Sequence, residues 1–240
     1  MKLLKFFGIM LLATFITLMS CEDEIPGLTE EDIAAGLKEA LRVGTDTAVA
    51  KLNKPDGFFK DELVKILLPA EAQPVYNVLS SVPLLDDLLD QTILAINRSA
   101  EDAVTEAAPI FVDAITAMTI SDAIGILNGS DTAATSYLKV NTIQKLNDAF
   151  KPKISTSLNK EIILGVSAES SYEKLINTYN SASLGGLLFN QIEENSLTEH
   201  TTNRALKGMF MKVGDEETKI RTDVAHRVTS VLQEVFGELD

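Results

Sequence analysis

Helical periodicity is the feature of this sequence that most constrains its fold. Alanine, leucine, glutamate and lysine dominate the chain, and strict alternation of apolar and polar residues, the pattern of half-buried strands, is scarce. At three predicted helix starts a Ser or Thr precedes an acidic residue by three positions, the spacing of a capping box: Thr29 with Asp32, Thr119 with Asp122, and Ser196 with Glu199. We therefore predict an all-α fold.

The predicted fold is a single multi-helix domain of about ten helices. Turn-forming residues separate several of them: Lys54-Pro55-Asp56-Gly57, Asn128-Gly129, Pro152 and Gly185-Gly186. The predicted helices span residues 30–52, 70–81, 84–106, 108–118, 120–128, 131–150, 153–166, 170–182, 197–222 and 224–237. Only residues 63–68 resemble a strand, and a single strand does not make a sheet.

The first 20 residues have the order of a bacterial signal peptide. Lys2 and Lys5 precede an uncharged apolar stretch that is shorter than the roughly 20 residues needed to span a bilayer. Leu18-Met19-Ser20-Cys21 ends this stretch and resembles the bacterial lipobox, in which the cysteine is acylated and becomes the first residue after cleavage. We predict a cleaved lipoprotein signal peptide over residues 1–20 and contact with the membrane through lipid on Cys21.

A short acidic tether, residues 21–28, separates the predicted anchor from a helical domain, residues 29–240. Cys21 is the only cysteine, so no intrachain disulfide can form. The alternative, an inert buried cysteine, does not explain why Cys21 follows a basic start and an apolar run. Glu22 follows it, rather than the aspartate associated with inner-membrane retention. We therefore favour an outer-membrane lipoprotein of the cell envelope, with the periplasmic or surface-exposed face left open.

The charge of the chain argues against a nucleic-acid partner. The sequence has 21 basic and 35 acidic residues and a net charge of −14. Removal of residues 1–20 takes away two lysines and no acidic residue, which makes the net charge −16. Such a surface repels phosphate backbones. The expected partner, besides the membrane, is an unknown protein or small molecule.

No motif indicates a catalytic residue, a cofactor or a metal site. His200 and His226 lack the His-Glu-x-x-His spacing of zinc hydrolases. The sequence also has no Gly-x-Ser-x-Gly elbow, no P-loop and no Gly-x-Gly-x-x-Gly motif. We predict no cofactor and no metal, and we favour a function without catalysis.

Five groups of residues carry a resemblance that spans nearly the whole mature chain: Ala35-Gly36-Leu37-Lys38-Glu39-Ala40-Leu41, Lys54-Pro55-Asp56-Gly57-Phe58-Phe59, Asn97-Arg98 with Glu101, Pro109-Ile110-Phe111 with Met118-Thr119, and Gly129-Ser130-Asp131-Thr132-Ala133-Ala134-Thr135. Together they resemble a bacterial family known as domain of unknown function 4197. Ser130 departs from the glycine that we expect there. The resemblance implies a helical fold and an exported location, and it implies no activity, cofactor or catalytic residue.

Glu217 is the polar residue whose place in the pattern is most informative. On a helix over residues 197–222 it falls within an apolar stripe, four residues after Val213. A buried carboxylate is either protonated or paired with a cation or a hydrogen-bond donor, and Arg98, close in sequence to Glu101, is the first candidate. We favour a structural ion pair, with a ligand site as the alternative.

A second candidate site is the helix start after Asn128-Gly129-Ser130-Asp131, where free backbone N–H groups attract anions. Capping by Ser130 or Asp131 is favoured, because a carboxylate already in place competes with an anion. Arg98, Glu101, Asp131 and Glu217 are therefore our candidate buried polar cluster.

Three functions remain open. A non-catalytic interaction or scaffold module is favoured, and it predicts an exposed apolar patch without a deep cavity. A carrier of a small apolar or amphipathic ligand predicts a cavity between helices. An enzyme of unfamiliar type, the least favoured, predicts that the four residues of the polar cluster converge in one cleft.

Overall fold

Eight α-helices make up most of the structure, a computed structural model that describes residues 28–72, 83–163, 165–188, 190–192 and 196–237. The α-helices are α1 Glu30–Leu52, α2 Pro83–Ala103, α3 Ala107–Ala117, α4 Ile120–Leu127, α5 Ala133–Leu158, α6 Ala168–Ala182, α7 Leu197–Thr222 and α8 Ser230–Gly237. Two short strands, β1 Glu161–Ile163 and β2 Val166–Ser167, and three 3₁₀ turns, Ala70–Ala72, Val104–Glu106 and Val224–His226, complete the described elements. The all-α class is confirmed, although the described residues contain fewer helices than the ten predicted.

Several predictions concern residues that lie outside the described ranges. They are the signal peptide 1–20, the lipid attachment at Cys21, the tether 21–28 except for Leu28, and most of the helix predicted over 70–81. These stay predictions.

The helix starts follow the caps that the sequence predicts. The Thr29 hydroxyl accepts from the Asp32 N–H at 3.2 Å, and the Asp32 carboxylate accepts from the Thr29 N–H at 3.1 Å. The same reciprocal pair, Thr119 with Asp122, begins α4. Ser196 caps α7 with its hydroxyl. Because these caps are local in sequence, α1 and α7 begin at the predicted residues. Both helices also end at the predicted residues.

The predicted break at Pro152 is wrong, because α5 runs unbroken through it. Buried side chains recur at four-residue intervals on both sides of the proline: Leu138, Thr142, Leu146, Phe150, Ile154 and Leu158. A proline inside a helix costs about 3 kcal/mol, whereas each fully buried Leu, Ile or Phe side chain contributes about 1.5–3 kcal/mol. Packing of the continuous stripe therefore outweighs the lost backbone hydrogen bond.

The helix predicted over residues 153–166 ends early and a hairpin replaces its second half. The strands β1 and β2 pair antiparallel, with Glu161 opposite Ser167 and Ile163 opposite Val166. Gly165 lies between them at φ +76°, a left-handed conformation that no right-handed helix contains. Residues 63–68, the predicted strand-like segment, form no strand.

The prediction of a helix over residues 224–237 is also wrong for the first half of that range. Arg227 is only 2% exposed, and its guanidinium donates to the Ile220 and Arg221 carbonyls at the end of α7, at 3.1 and 2.9 Å. These carbonyls have no partner within their own helix, so Arg227 supplies one. The chain bends sharply to bring Arg227 back, and α8 starts only at Ser230.

Helices α1, α5 and α7 form the centre of the bundle. Helix α7 packs on α1 and α5, α2 packs on α5, and α3, α4 and α8 cover α1. Gly36 permits the approach of α8, because a Cβ atom there would lie 2.5 Å from Val235 Cγ2. Within the described ranges no single helix is long and apolar enough to cross a membrane. One pair of consecutive segments, 86–117 and 120–127, is long and apolar enough only when the two are taken together, and the chain bends by 104° between them.

Candidate functional site

Glu217 is buried, and its carboxylate caps the first turn of α5. It is 8% exposed. Its oxygens accept from the N–H groups of Ala134 and Thr135, at 2.9 and 2.8 Å, and from the Thr135 hydroxyl at 2.7 Å. The expected capping by Ser130 or Asp131 is therefore wrong, since the carboxylate that occupies this helix start comes from α7.

The cation beside Glu217 is Arg221, one helical turn further along α7. Its Nη2 lies 3.1 Å from Glu217 Oε1, and the guanidinium also donates to the carbonyls of Ile126 and Leu127 at the end of α4. Glu217 and Arg221 together hold the end of α4 and the start of α5 on the same face of α7. Arg98 is not the partner of Glu217, which corrects that expectation.

Arg98 instead joins Glu101 and Asp56 in a second polar network. Its guanidinium lies 2.6 Å from Glu101 Oε2 and 2.6 Å from Asp56 Oδ1. Glu101, buried on α2, also accepts from the N–H groups of Phe58 and Phe59 at 3.1 and 3.3 Å. This network fixes the turn that follows α1 onto α2.

The turn itself is tightly constrained. Asp56 has φ +70°, and a Cβ atom at Gly57 would lie 2.4 Å from the Leu52 carbonyl oxygen. Hydrogen bonds from Lys60 and Arg98 hold the pKa of the Asp56 carboxyl below its ordinary value. The predicted turn at these residues is confirmed, and its carboxylate is held in the charged form.

The four residues of the predicted polar cluster do not converge. Arg98 and Glu101 belong to the network at the end of α1, and Glu217 belongs to the corner between α4 and α5. Asp131 is exposed in the turn before α5 and contacts neither network. Glu101 and Glu217 each accept backbone N–H groups, Glu101 from the turn after α1 and Glu217 from the start of α5, so this arrangement holds neighbouring segments together and the four residues share no cleft.

Sequence reasoning missed two buried residues of the same kind. Glu169 on α6 caps α7 by accepting from the N–H groups of Leu197 and Thr198, both at 3.0 Å. Asn97 on α2 accepts from the Ile66 N–H at 2.9 Å and donates to the Ile66 carbonyl at 2.8 Å. Asn97 stood among the residues that carry the family resemblance, which was the available signal for it.

A surface groove of about 290 Å³, here called the leucine groove, lies between residues 63–68 and one face of α7. The α7 residues that line it are Arg204, Lys207, Gly208 and Met211. Leu63 and Leu67 are 71% and 52% exposed in it. Gly208 brings the segment close to α7, because a Cβ atom there would lie 3.2 Å from Val64 Cβ. In the leucine groove, large apolar side chains lie open to solvent beside the cations Arg204 and Lys207.

The space between helices α1, α5, α7 and α8, beside Glu217, is far smaller. It measures about 20 Å³, room for about one water molecule, and apolar side chains such as Leu37, Val213 and Phe236 line it. It cannot hold an organic ligand.

Neither histidine belongs to a metal site in the described part of the chain. His226 Nδ1 lies 2.8 Å from Asp223 Oδ2, and His200 Nε2 lies 2.9 Å from the Leu67 carbonyl oxygen. Among the residues whose placement is given, no three His, Cys, Asp or Glu side chains are grouped so that they could hold a metal ion.

Comparison with known proteins identifies a family and no activity. No curated protein and no solved structure matches the chain. The family described as "Protein of unknown function (DUF4197)" matches residues 27–237. Since this match covers nearly all of the 240 residues, the chain belongs to the DUF4197 family.

Proposed function

We propose that this protein is a non-catalytic interaction module of the cell envelope, which a lipid on Cys21 ties to the outer membrane and which binds a partner protein at the leucine groove. The observation that carries the proposal is the exposure of Leu63, Leu67 and Met211 side by side, at 71%, 52% and 36%. Large apolar side chains grouped on a surface favour a protein–protein contact.

The alternative of a small-molecule carrier has less support. Pockets for such ligands typically measure 300–1,000 Å³ and enclose most of the ligand. The space beside Glu217 holds about 20 Å³. The leucine groove lies on the surface, where Leu63 and Leu67 are largely exposed, so a bound segment of polypeptide fits it better than an enclosed ligand does.

An enzyme of unfamiliar type has less support still. Catalysis needs titratable groups that face one reacting centre. Glu101, Glu169 and Glu217 instead accept backbone N–H groups from neighbouring segments. Their positions favour a structural role.

The experiment is site-specific photo-crosslinking in the native host, with a photoreactive amino acid in place of Leu67. Val140, which is 79% exposed on α5 and lies outside the groove, is the control position. We expect one discrete crosslinked protein from position 67 that is absent from position 140, and its loss when Leu63→Ser is added. Equal crosslinking at both positions, or none at position 67, contradicts the proposal.

A further inference from the structure

The leucine groove is cationic on a chain that is strongly acidic. Its lining includes Lys65, Arg204 and Lys207 and contains no Asp or Glu. The whole sequence, by contrast, has 35 acidic and 21 basic residues. Three cations without a carboxylate among the lining residues therefore set this groove apart from the rest of the chain.

Two of the three groove cations, Arg204 and Lys207, differ from the cations of the neighbouring surface in their pairing. The third, Lys65, lies 3.8 Å from Glu62 Oε1 and 4.9 Å from the centre of the Phe59 ring. Three lysines nearby each have a carboxylate at 2.6 or 2.7 Å: Lys51 with Glu216, Lys60 with Asp56, and Lys212 with Asp61. Arg204 and Lys207 are exposed, and neither forms an ion pair with any described residue. Their charge is thus available to an incoming anionic group.

The spacing of these cations suits an extended peptide. Arg204, Lys207 and Met211 follow one another at three- and four-residue intervals and so share one face of α7. Side chains three apart on a helix are about 5–6 Å apart, and alternate side chains of an extended peptide are about 7 Å apart. Two carboxylates, two positions apart in a peptide, can therefore reach both cations while an apolar side chain packs on Leu63 or Leu67.

The location of the groove favours a polypeptide over a lipid surface. Helix α1 rises roughly 35 Å from Glu30 to Leu52, and residues 63–68 come after its far end. Helix α7 runs antiparallel to α1, because Gly44 faces Ile220 whereas Lys51 contacts Glu216 and Phe58 faces Gly208. The groove therefore lies past the end of α1 that is far from Glu30, beside the middle of α7.

We propose that the occupant of the leucine groove is an acidic peptide segment of a partner protein, in which Asp or Glu residues alternate with large apolar residues. The carboxylates pair with Arg204 and Lys207, and the apolar side chains cover Leu63 and Leu67. This inference rests on the proposed function and names the chemistry of the partner at the same groove.

The test is selection from a random peptide display library on the full-length protein, purified from its native host. We expect selected peptides rich in Asp and Glu next to Leu, Ile or Phe. For a synthetic copy of the best peptide, R204E/K207E weakens binding about tenfold, and raising NaCl from about 50 to about 500 mM weakens it as well. The control K139E/K145E, which reverses two exposed lysines on α5, changes binding less than about twofold.

Several results would overturn the inference. The first two are a selection that yields no peptide and a selection whose peptides are not enriched in Asp or Glu. The third is an affinity for the synthetic peptide that R204E/K207E leaves unchanged. The fourth is a protein that binds vesicles of phosphatidylglycerol and phosphatidylethanolamine more tightly than it binds the peptide. The neutral variant R204Q/K207Q and thermal melts of each variant separate a loss of charge from a loss of folding. If Leu67 still crosslinks one protein while these tests fail, the proposed function stands and only the acidic partner is excluded.

Discussion

Glu217 on α7 caps α5 through the N–H group of Thr135, which lies 82 positions earlier in the sequence. This long-range cap joins two features that look unrelated in the sequence: a carboxylate within an apolar stripe and a helix start that attracts anions. Each satisfies the other, since the carboxylate needs donors and the helix start needs an acceptor.

Glu217→Gln tests how much this cap contributes to the free energy of unfolding. Glutamine has one acceptor oxygen instead of two and no charge to pair with Arg221, so we expect the free energy of unfolding to fall by about 2–4 kcal/mol. Urea denaturation measures it. Glu173→Gln, at an exposed position on α6, is the control and should stay within about 0.5 kcal/mol of the parent. An unchanged midpoint for Glu217→Gln would mean that the carboxylate contributes nothing to folding.

Two glycine substitutions should change the free energy of unfolding in opposite directions. Gly57→Ala places a Cβ atom 2.4 Å from the Leu52 carbonyl oxygen, which is backbone and cannot move aside, so we expect a loss of about 2 kcal/mol or more. Gly125→Ala lies in α4 with no atom within 4 Å of the new Cβ, and we expect a gain of about 0.5–1 kcal/mol. Denaturant midpoints compare the two. Similar effects from both would show that the turn after α1 is not tightly packed.

The pH dependence of stability should include a contribution from Glu216. Burial acts to raise the pKa of its carboxyl, but hydrogen bonds from Lys219 and Lys51 outweigh burial and hold the pKa below the ordinary 4.5. A carboxyl whose pKa is lowered by folding stabilises the fold above its unfolded pKa, and this stabilisation is lost as the pH falls through the folded value. It is therefore present at neutral pH and lost below about pH 4.5.

Urea denaturation of Glu216→Gln across this range measures that contribution. We expect the variant to be less stable than the parent at neutral pH and the difference to shrink as the pH falls below about 4.5. Glu234→Gln, at an exposed position on α8, is the control and should stay within about 0.5 kcal/mol of the parent at neutral pH. A difference that stays constant with pH would contradict the role of the two lysines.

The proposed lipid anchor on Cys21 leads to a prediction about acylation and membrane association. Metabolic labelling with a radioactive fatty acid should mark the parent protein, which should fractionate with the outer membrane, because a multiply acylated cysteine binds a bilayer stably. Cys21→Ser should remove both the label and the membrane association. An unlabelled parent, or a Cys21→Ser variant that still fractionates with the outer membrane, would remove the basis for the envelope assignment.

The sequence predicts this fold best where structure is decided locally. The capping boxes at Thr29 and Thr119 lie within four residues of the helices they start, and both form as expected. The break at Pro152 failed because side chains distant in sequence pack on the stripe that continues past the proline. Local propensity could not predict that compensation.

The strand-like pattern of residues 63–68 has a physical explanation. Val64, Ile66 and Leu68 are buried while Leu63 and Leu67 point outward, which is the alternation of an extended chain. The backbone of Ile66 is satisfied by the Asn97 side chain instead of a second strand. The pattern therefore reflects alternating burial and not a strand, since residues 62–64 lie in a turn in which the Lys65 N–H donates to the Asp61 carbonyl at 2.8 Å.

The candidate site was predicted only in part. Burial of Glu217 follows from its place in an apolar stripe, and the structure shows it. Arg221 lies four residues after Glu217 on the same helix, a spacing that could have identified it as the partner. The N–H groups that the carboxylate caps could not be identified in this way, because they depend on how the helices dock. The leucine groove likewise arises only when residues 63–68 lie against α7.

Glu217 and Arg221, one turn apart on α7, have a consequence for how the molecule opens. A shift of α7 along its axis would release the last turn of α4 and the first turn of α5 simultaneously. We expect the amide hydrogens of these three elements to exchange with solvent as one cooperative unit, with a shared opening free energy, while the hairpin β1–β2 exchanges independently and faster.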